Sequence, residues 1–211
     1  DGFFLVGRRP EPGFTWAGLK GKRVLVDHFF QPLAMFRYAL RQAGLDIDDI
    51  EAVDAGGIED MERAFRDGSA DYAHFQGPLP QQLEREGVGH VLAAVGDAVG
   101  PVAFSSLCAR HDWLVTPAAS GFMRAYRRGL AHAAAGEPRE IAALLAAAGY
   151  FPRIDPAVLT ATVAAYQRLG CWRPDPEITP ADYERLLDVF QFAGLITRRH
   201  PFDAAIVPPP V

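Results

Sequence analysis

Apolar positions come in short bursts along the first hundred residues and in longer helical rhythms after them. The burst Phe3 to Val6 reads as a strand, and a loop with two prolines follows from Gly7 to Gly13. Trp16 to Leu19 forms one helical turn, with Thr15 placed to cap it and Gly21 to close it. A strand from Arg23 to Asp27 is built on Val24-Leu25-Val26. The helix Leu33 to Ala43 puts Leu33, Phe36, Ala39 or Leu40, and Ala43 on one face, with Arg37 and Arg41 on the other. Next come a strand from Ile50 to Val53, a Gly56-Gly57 turn, and a helix from Ile58 to Arg66 that buries Met61 and Phe65. A strand from Tyr72 to Phe75, a helix from Pro78 to Glu86 and a strand from His90 to Val95 complete this stretch. Strands and helices that alternate with short connections predict a parallel sheet with helices on its faces. Ligands of such sheets sit off the carboxyl ends of the strands. That places function at Asp27 to Gln31, Ala55 to Gly57 and His74 to Gly77.

Past Gly96 to Pro101, a connection, a strand is expected from Val102 to Cys108, and the composition then changes. Residues 117 to 149 are Ala-rich and helical, with Met123, Tyr126 and Leu130 on one stripe. Helices from Glu137 to Ala148, Pro156 to Leu169 and Pro180 to Ala193 follow, then a last strand from Asp203 to Val207. The fold class is α/β, with a helical C-terminal half.

Composition narrows the function. A length of 211 residues and 49% apolar content allow a sizeable core. The net charge of -5 argues against a nucleic-acid partner, since no basic face offsets it. Cys108 and Cys171 are too few for a disulfide framework or a zinc site; one bridge between them is open, and two free thiols buried as small hydrophobes is the preferred reading. No apolar run approaches the roughly 18 residues of a membrane span. The chain opens on Asp1 without a targeting segment, as expected of a mature, processed or partial chain.

Phe4-Leu5-Val6-Gly7-Arg8, followed by Leu19-Lys20-Gly21-Lys22-Arg23-Val24, resembles the opening strand and D-L-K-G-K-x-V passage of type II periplasmic solute-binding proteins. The branch it is similar to holds the sulfonate, taurine and nitrate binders and the thiamine-pyrimidine proteins. The likeness runs on through Ala43-Gly44-Leu45, through residues 64 to 72 (A-F-R-D-G-S-A-D-Y), and through Ser105 to Trp113. Gly18 stands where the family carries an acidic residue. The resemblance implies a mixed sheet flanked by helices, with Phe3 to Arg8 and Phe104 to Arg110 as crossing strands of a hinge. It divides the chain into a crossover strand and linker (1–14), the second α/β lobe (15–100), and the return crossover with C-terminal helices (101–211). The first lobe would stand ahead of Asp1, so half of the cleft is expected to be missing here.

By the same resemblance the protein is the substrate-binding component of an ABC transporter. It would work in the periplasm or at the cell surface and deliver a small organic molecule to a membrane permease, without catalysis or cofactor. Sulfonate- and nitrate-type members carry Gly, Ser or Thr in the turn after the first strand of this lobe. Here the turn is Asp27-His28-Phe29-Phe30-Gln31, which disfavours an anion and offers ring faces. A planar heterocycle held by Asp27 or Gln31 fits that set. Asp27 as a helix cap, with both Phe residues in the core, fits it equally. Gly56 and Gly57 are candidates for backbone contact or for a plain tight turn. His74 and Gln76 are candidates at a strand end, with a core role open for His74. Asp97 is a candidate from the connection, although a loop aspartate is commonly just solvated. A metal site from Asp27, His28 and His74 has the donors but no spacing motif. The enzyme alternative, a thiamine-pyrimidine synthase of this fold, needs a lysine for pyridoxal phosphate. Lys20 and Lys22, set against 19 arginines, both sit at the wrong end of their strand.

Overall fold

Five short strands are threaded out of chain order. The computed structural model describes residues 1–210. It contains β1 (Phe3–Gly7), β2 (Arg23–Leu25), α1 (Phe30–Gln42), β3 (Glu51–Val53), α2 (Ile58–Arg66), β4 (Tyr72–Gln76), α3 (Leu79–Arg85), β5 (His90–Ala94) and α4 (Val95–Val99). The sheet order is β3-β2-β4-β1-β5. Strand β2 lies parallel to both β3 and β4, whereas β1 runs antiparallel to β4 and β5. The sheet is therefore mixed. The βαβ units from Arg23 to Gln76 account for the parallel part, and β1 inserts against that direction.

Side chains alternate across the sheet. Leu25, Ala73, Phe75 and Val6 join Met61, Phe65 and Leu83 of α2 and α3 in one buried cluster. Met35, Phe36, Ala39 and Leu40 form the buried stripe of α1 on the other face, where Phe36 meets His74 of β4. At about 25 cal/mol per Å2 of apolar surface removed from water, these two layers supply the main drive for folding this part.

The described chain divides into two compact units: residues 1–100 with 192–195, and residues 101–191 with 196–210. The second unit is helical, with α5 (His111–Leu114), α6 (Pro117–Ala135), α7 (Pro138–Ala147), α8 (Pro156–Arg168), α9 (Pro180–Phe192) and α10 (Phe202–Ala205). Gln167 of α8 donates to the carbonyls of Ala133 and Gly136 at 2.9 and 2.8 Å, closing the turn between α6 and α7. Asp182, buried in α9, accepts from Thr179 at 2.8 Å and from Arg173 at 2.7 Å. Among the described residues no helix is long and apolar enough to cross a membrane.

Four expectations are corrected. Val102 to Cys108 is not a strand: no sheet strand pairs with it, and only Ala103 within it is buried. The hinge strand expected at Phe104 to Arg110 is absent for the same reason. Gly96 to Pro101 holds a helix, α4, not a plain connection, and Asp203 to Val207 holds the short helix α10 where a strand was expected.

Candidate functional site

Strands β2 and β3 lie side by side, and the same pair of residues marks the exit of each, Val26-Asp27 just past β2 and Val53-Asp54 at the end of β3. The pairing extends one step past β2, because the Val26 amide donates to the Val53 carbonyl at 3.1 Å. Beyond it each aspartate folds back on its own chain. Asp27 Oδ1 accepts from the Phe29 amide at 2.9 Å, and Asp54 Oδ1 accepts from the Gly56 amide at 2.9 Å. Both are Asx turns, which suit a sharp exit from a strand. Each delivers the chain to a helix start with no side-chain cap, Phe29 for α1 and Gly57 for α2. Gly56 has φ of 95°, a backbone region that favours glycine, whereas Gly57 has an ordinary φ of -72°.

Between the two turns lies an open recess of about 470 Å3. Asp27, His28 and Phe29 line it from one turn, and Asp54, Gly56, Gly57 and Ile58 from the other, together with the buried Met61. The Nδ1 of His28 lies 2.7 Å from the Val26 carbonyl oxygen and 4.0 Å from Asp54 Oδ1. Two uncapped helix starts bring about one positive charge equivalent between them, and the two carboxylates bring two negative charges. Glu59 and Asp60 in the first turn of α2 add to the acidic side.

Five of the ten residues expected at the site meet here: Asp27, His28, Phe29, Gly56 and Gly57. The other five lie outside the recess lining. Phe30 stands beside it, 73% exposed, with its ring 5.8 Å from that of Phe29 and at 71° to it. Gln31 sits in the first turn of α1, which begins three residues earlier than the periodicity predicts. Gln76 is exposed at the end of β4, and Asp97 is exposed in the first turn of α4. His74 is fully buried, with its ring between Phe3 at 4.6 Å and Phe36 at 4.8 Å. Burial, helped by the nearby His28, pushes its pKa down to about 3. The alternation of β4 turns His74 onto the α1 layer, which makes it a core histidine and removes it from the ligand set. Sequence reasoning missed Asp54 and Ile58; the repeated Val-Asp at two adjacent strand ends was the available signal. Among the described residues no three His, Cys, Asp or Glu side chains are gathered to hold a metal ion.

The comparisons with known proteins match this architecture. A family model described as NMT1/THI5 like matches residues 15–141, more than half of the chain. The chain belongs to the NMT1/THI5-like family. It is 25% identical over 213 residues to "Putative binding protein YtlA" of Bacillus subtilis (strain 168), an alignment covering 98% of the chain and 62% of YtlA. The aliphatic sulphonate binding protein SsuA of Escherichia coli shares the fold, with a TM-score of 0.63 at 18% identity over 99% of this chain and 66% of that one. The ligand-binding component of an ABC-type import system from Staphylococcus aureus shares it too, with a TM-score of 0.69 at 14% identity, covering 98% and 68%. The chain thus spans about two thirds of the length of these proteins. Its fold is that of the type II periplasmic binding proteins, with a mixed sheet and flanking helices.

Proposed function

We propose that this family member is the solute-binding component of an ABC importer, working in the periplasm or at the cell surface and passing its ligand to a membrane permease. The relative and the two structural neighbours, each named for binding, support that role. The observation that carries it is the recess at the carboxyl ends of β2 and β3, where such sheets take ligands. Its ligand is a small, planar, neutral or cationic heterocycle. The two carboxylates outweigh the two helix starts, so a sulfonate would meet net repulsion, while the Phe29 ring offers a stacking face. Binding then acts by shifting a conformational equilibrium, with no chemical step.

The pyrimidine-synthase alternative asks for a lysine at the ligand. Lys20 and Lys22 precede β2, while the recess follows it, and Lys20 Nζ lies 3.3 Å from Asp49. Neither lysine lines the recess, which favours the binding reading over the synthase.

Isothermal titration with 4-aminopyrimidine and with methanesulfonate tests the reading. Saturable binding of the heterocycle, weakened at least tenfold by Asp27→Ala, is expected. Saturable binding of methanesulfonate that Asp27→Ala leaves unchanged would overturn it.

A further inference from the structure

We propose that His28 is the specificity-determining residue of the recess, held in the tautomer that protonates Nδ1, so that Nε2 presents a lone pair and selects ligands carrying an N–H donor. The inference rests on the recess being the ligand site.

Two independent contacts fix the proton. The Val26 carbonyl oxygen, 2.7 Å from Nδ1, can only accept, so that nitrogen has to donate. The Asp54 carboxylate, 4.0 Å from the same nitrogen, favours positive hydrogen there and is itself anchored by the Gly56 amide. Both the end of β2 and the turn after β3 therefore act on one edge of the ring. In a neutral imidazole only one nitrogen carries hydrogen, and the other accepts. The hydrogen bond to Val26 and the approach of Asp54 both fall on Nδ1, and the ring lines the recess.

The neighbouring side-chain polar groups agree in sign. Asp27 and Asp54 each use one carboxylate oxygen on a backbone amide, and as carboxylates they too can only accept. The lining side chains thus present acceptors and no charged donor. A ligand bearing an exocyclic amine or a ring N–H satisfies them. A ligand offering only acceptors leaves Nε2 and the carboxylates desolvated and unpaired, which is the arrangement that binding sites reject most strongly.

The closing experiment reads the tautomer and the ligand separately. Long-range proton–nitrogen NMR of the labelled protein, with His28 assigned through His28→Gln, is expected to show a protonated Nδ1 and a pyridine-type Nε2. Adding 4-aminopyrimidine should shift Nε2, whereas pyrimidine, which lacks the amine, should not. His28→Phe should weaken 4-aminopyrimidine at least tenfold, and His28→Gln, whose amide oxygen can accept, should restore part of that loss. A proton on Nε2, or equal shifts from both probes, overturns the role of His28 while leaving the recess as the site. No response of His28, Phe29 or Gly57 signals to 4-aminopyrimidine overturns both.

Discussion

The imidazole of His74 lies 4.8 Å from the ring of Phe36, the planes 31° apart, and neither ring nitrogen has a hydrogen-bond partner. The group is buried neutral, its pKa pushed down to about 3. Between pH 6.5 and 3 the unfolded chain therefore binds a proton that the folded chain refuses. Stability is full above about pH 6.5 and falls by roughly 1.4 kcal/mol for each unit below it, until the folded pKa is reached. Urea unfolding at pH 7 and pH 5 should show that loss in the wild type. His74→Leu should be at least as stable as the wild type at pH 7, since it removes an unsatisfied polar group, and should lose less on going to pH 5. An equal loss in both proteins would assign the acid sensitivity to other groups.

The two glycines after β3 should separate in their effects. Gly56 has a positive φ, and a Cβ there would meet Asp60 Oδ2 at 3.3 Å. Gly56→Ala is expected to destabilise by about 1 kcal/mol or more. Nothing lies within 4 Å of a Cβ on Gly57. Gly57→Val should therefore stay within about 0.5 kcal/mol of wild type and weaken 4-aminopyrimidine, because the new side chain enters the recess. Thermal unfolding and titration on the same samples decide it.

Asp27 combines a turn and a charge. Asp27→Asn keeps an oxygen for the Phe29 amide, so stability should hold within about 0.5 kcal/mol while preference for cationic over neutral heterocycles declines. Asp27→Ala loses the turn as well, at about 1 kcal/mol. If Asn and Ala variants unfold at the same urea concentration, the Asx turn contributes nothing to stability.

Gly89 is a packing glycine. A Cβ there would meet Val6 Cγ1 at 2.7 Å and Phe65 Cε1 at 3.1 Å, both inside the core. Gly89→Ala should cost about 1–3 kcal/mol through overpacking. A wild-type denaturation midpoint would show that the core yields there.

The βαβ stretch from Arg23 to Gln76 was legible because period-2 and period-3.6 patterns, glycine stops and short links agreed with one another. The Asp27 turn was legible from its break in polarity after Val24-Leu25-Val26. Asp54 was not, since a single acidic residue after a three-residue strand looks like any loop until β3 is laid beside β2. His74 misled because a polar residue at a strand end resembles a ligand contact; only the approach of Phe3 and Phe36 from distant sequence encloses it. Val102 to Cys108 has the composition of a strand but lacks a partner strand, and β structure exists only in pairs.

The first strand lies between the last two, with Phe3 opposite Gln76 on one side and Phe4 opposite Ala94 on the other. A ribosome must therefore release both β4 and β5, long after β1 itself, before the seam that β1 fills can exist. Until then the hydrophobic segment Phe3-Phe4-Leu5-Val6 has neither of its partner strands and is open to capture by chaperones or by another chain. In the finished fold β1 becomes a keystone, and losing it would bare the edge of β4 and leave β5 without a strand to pair with.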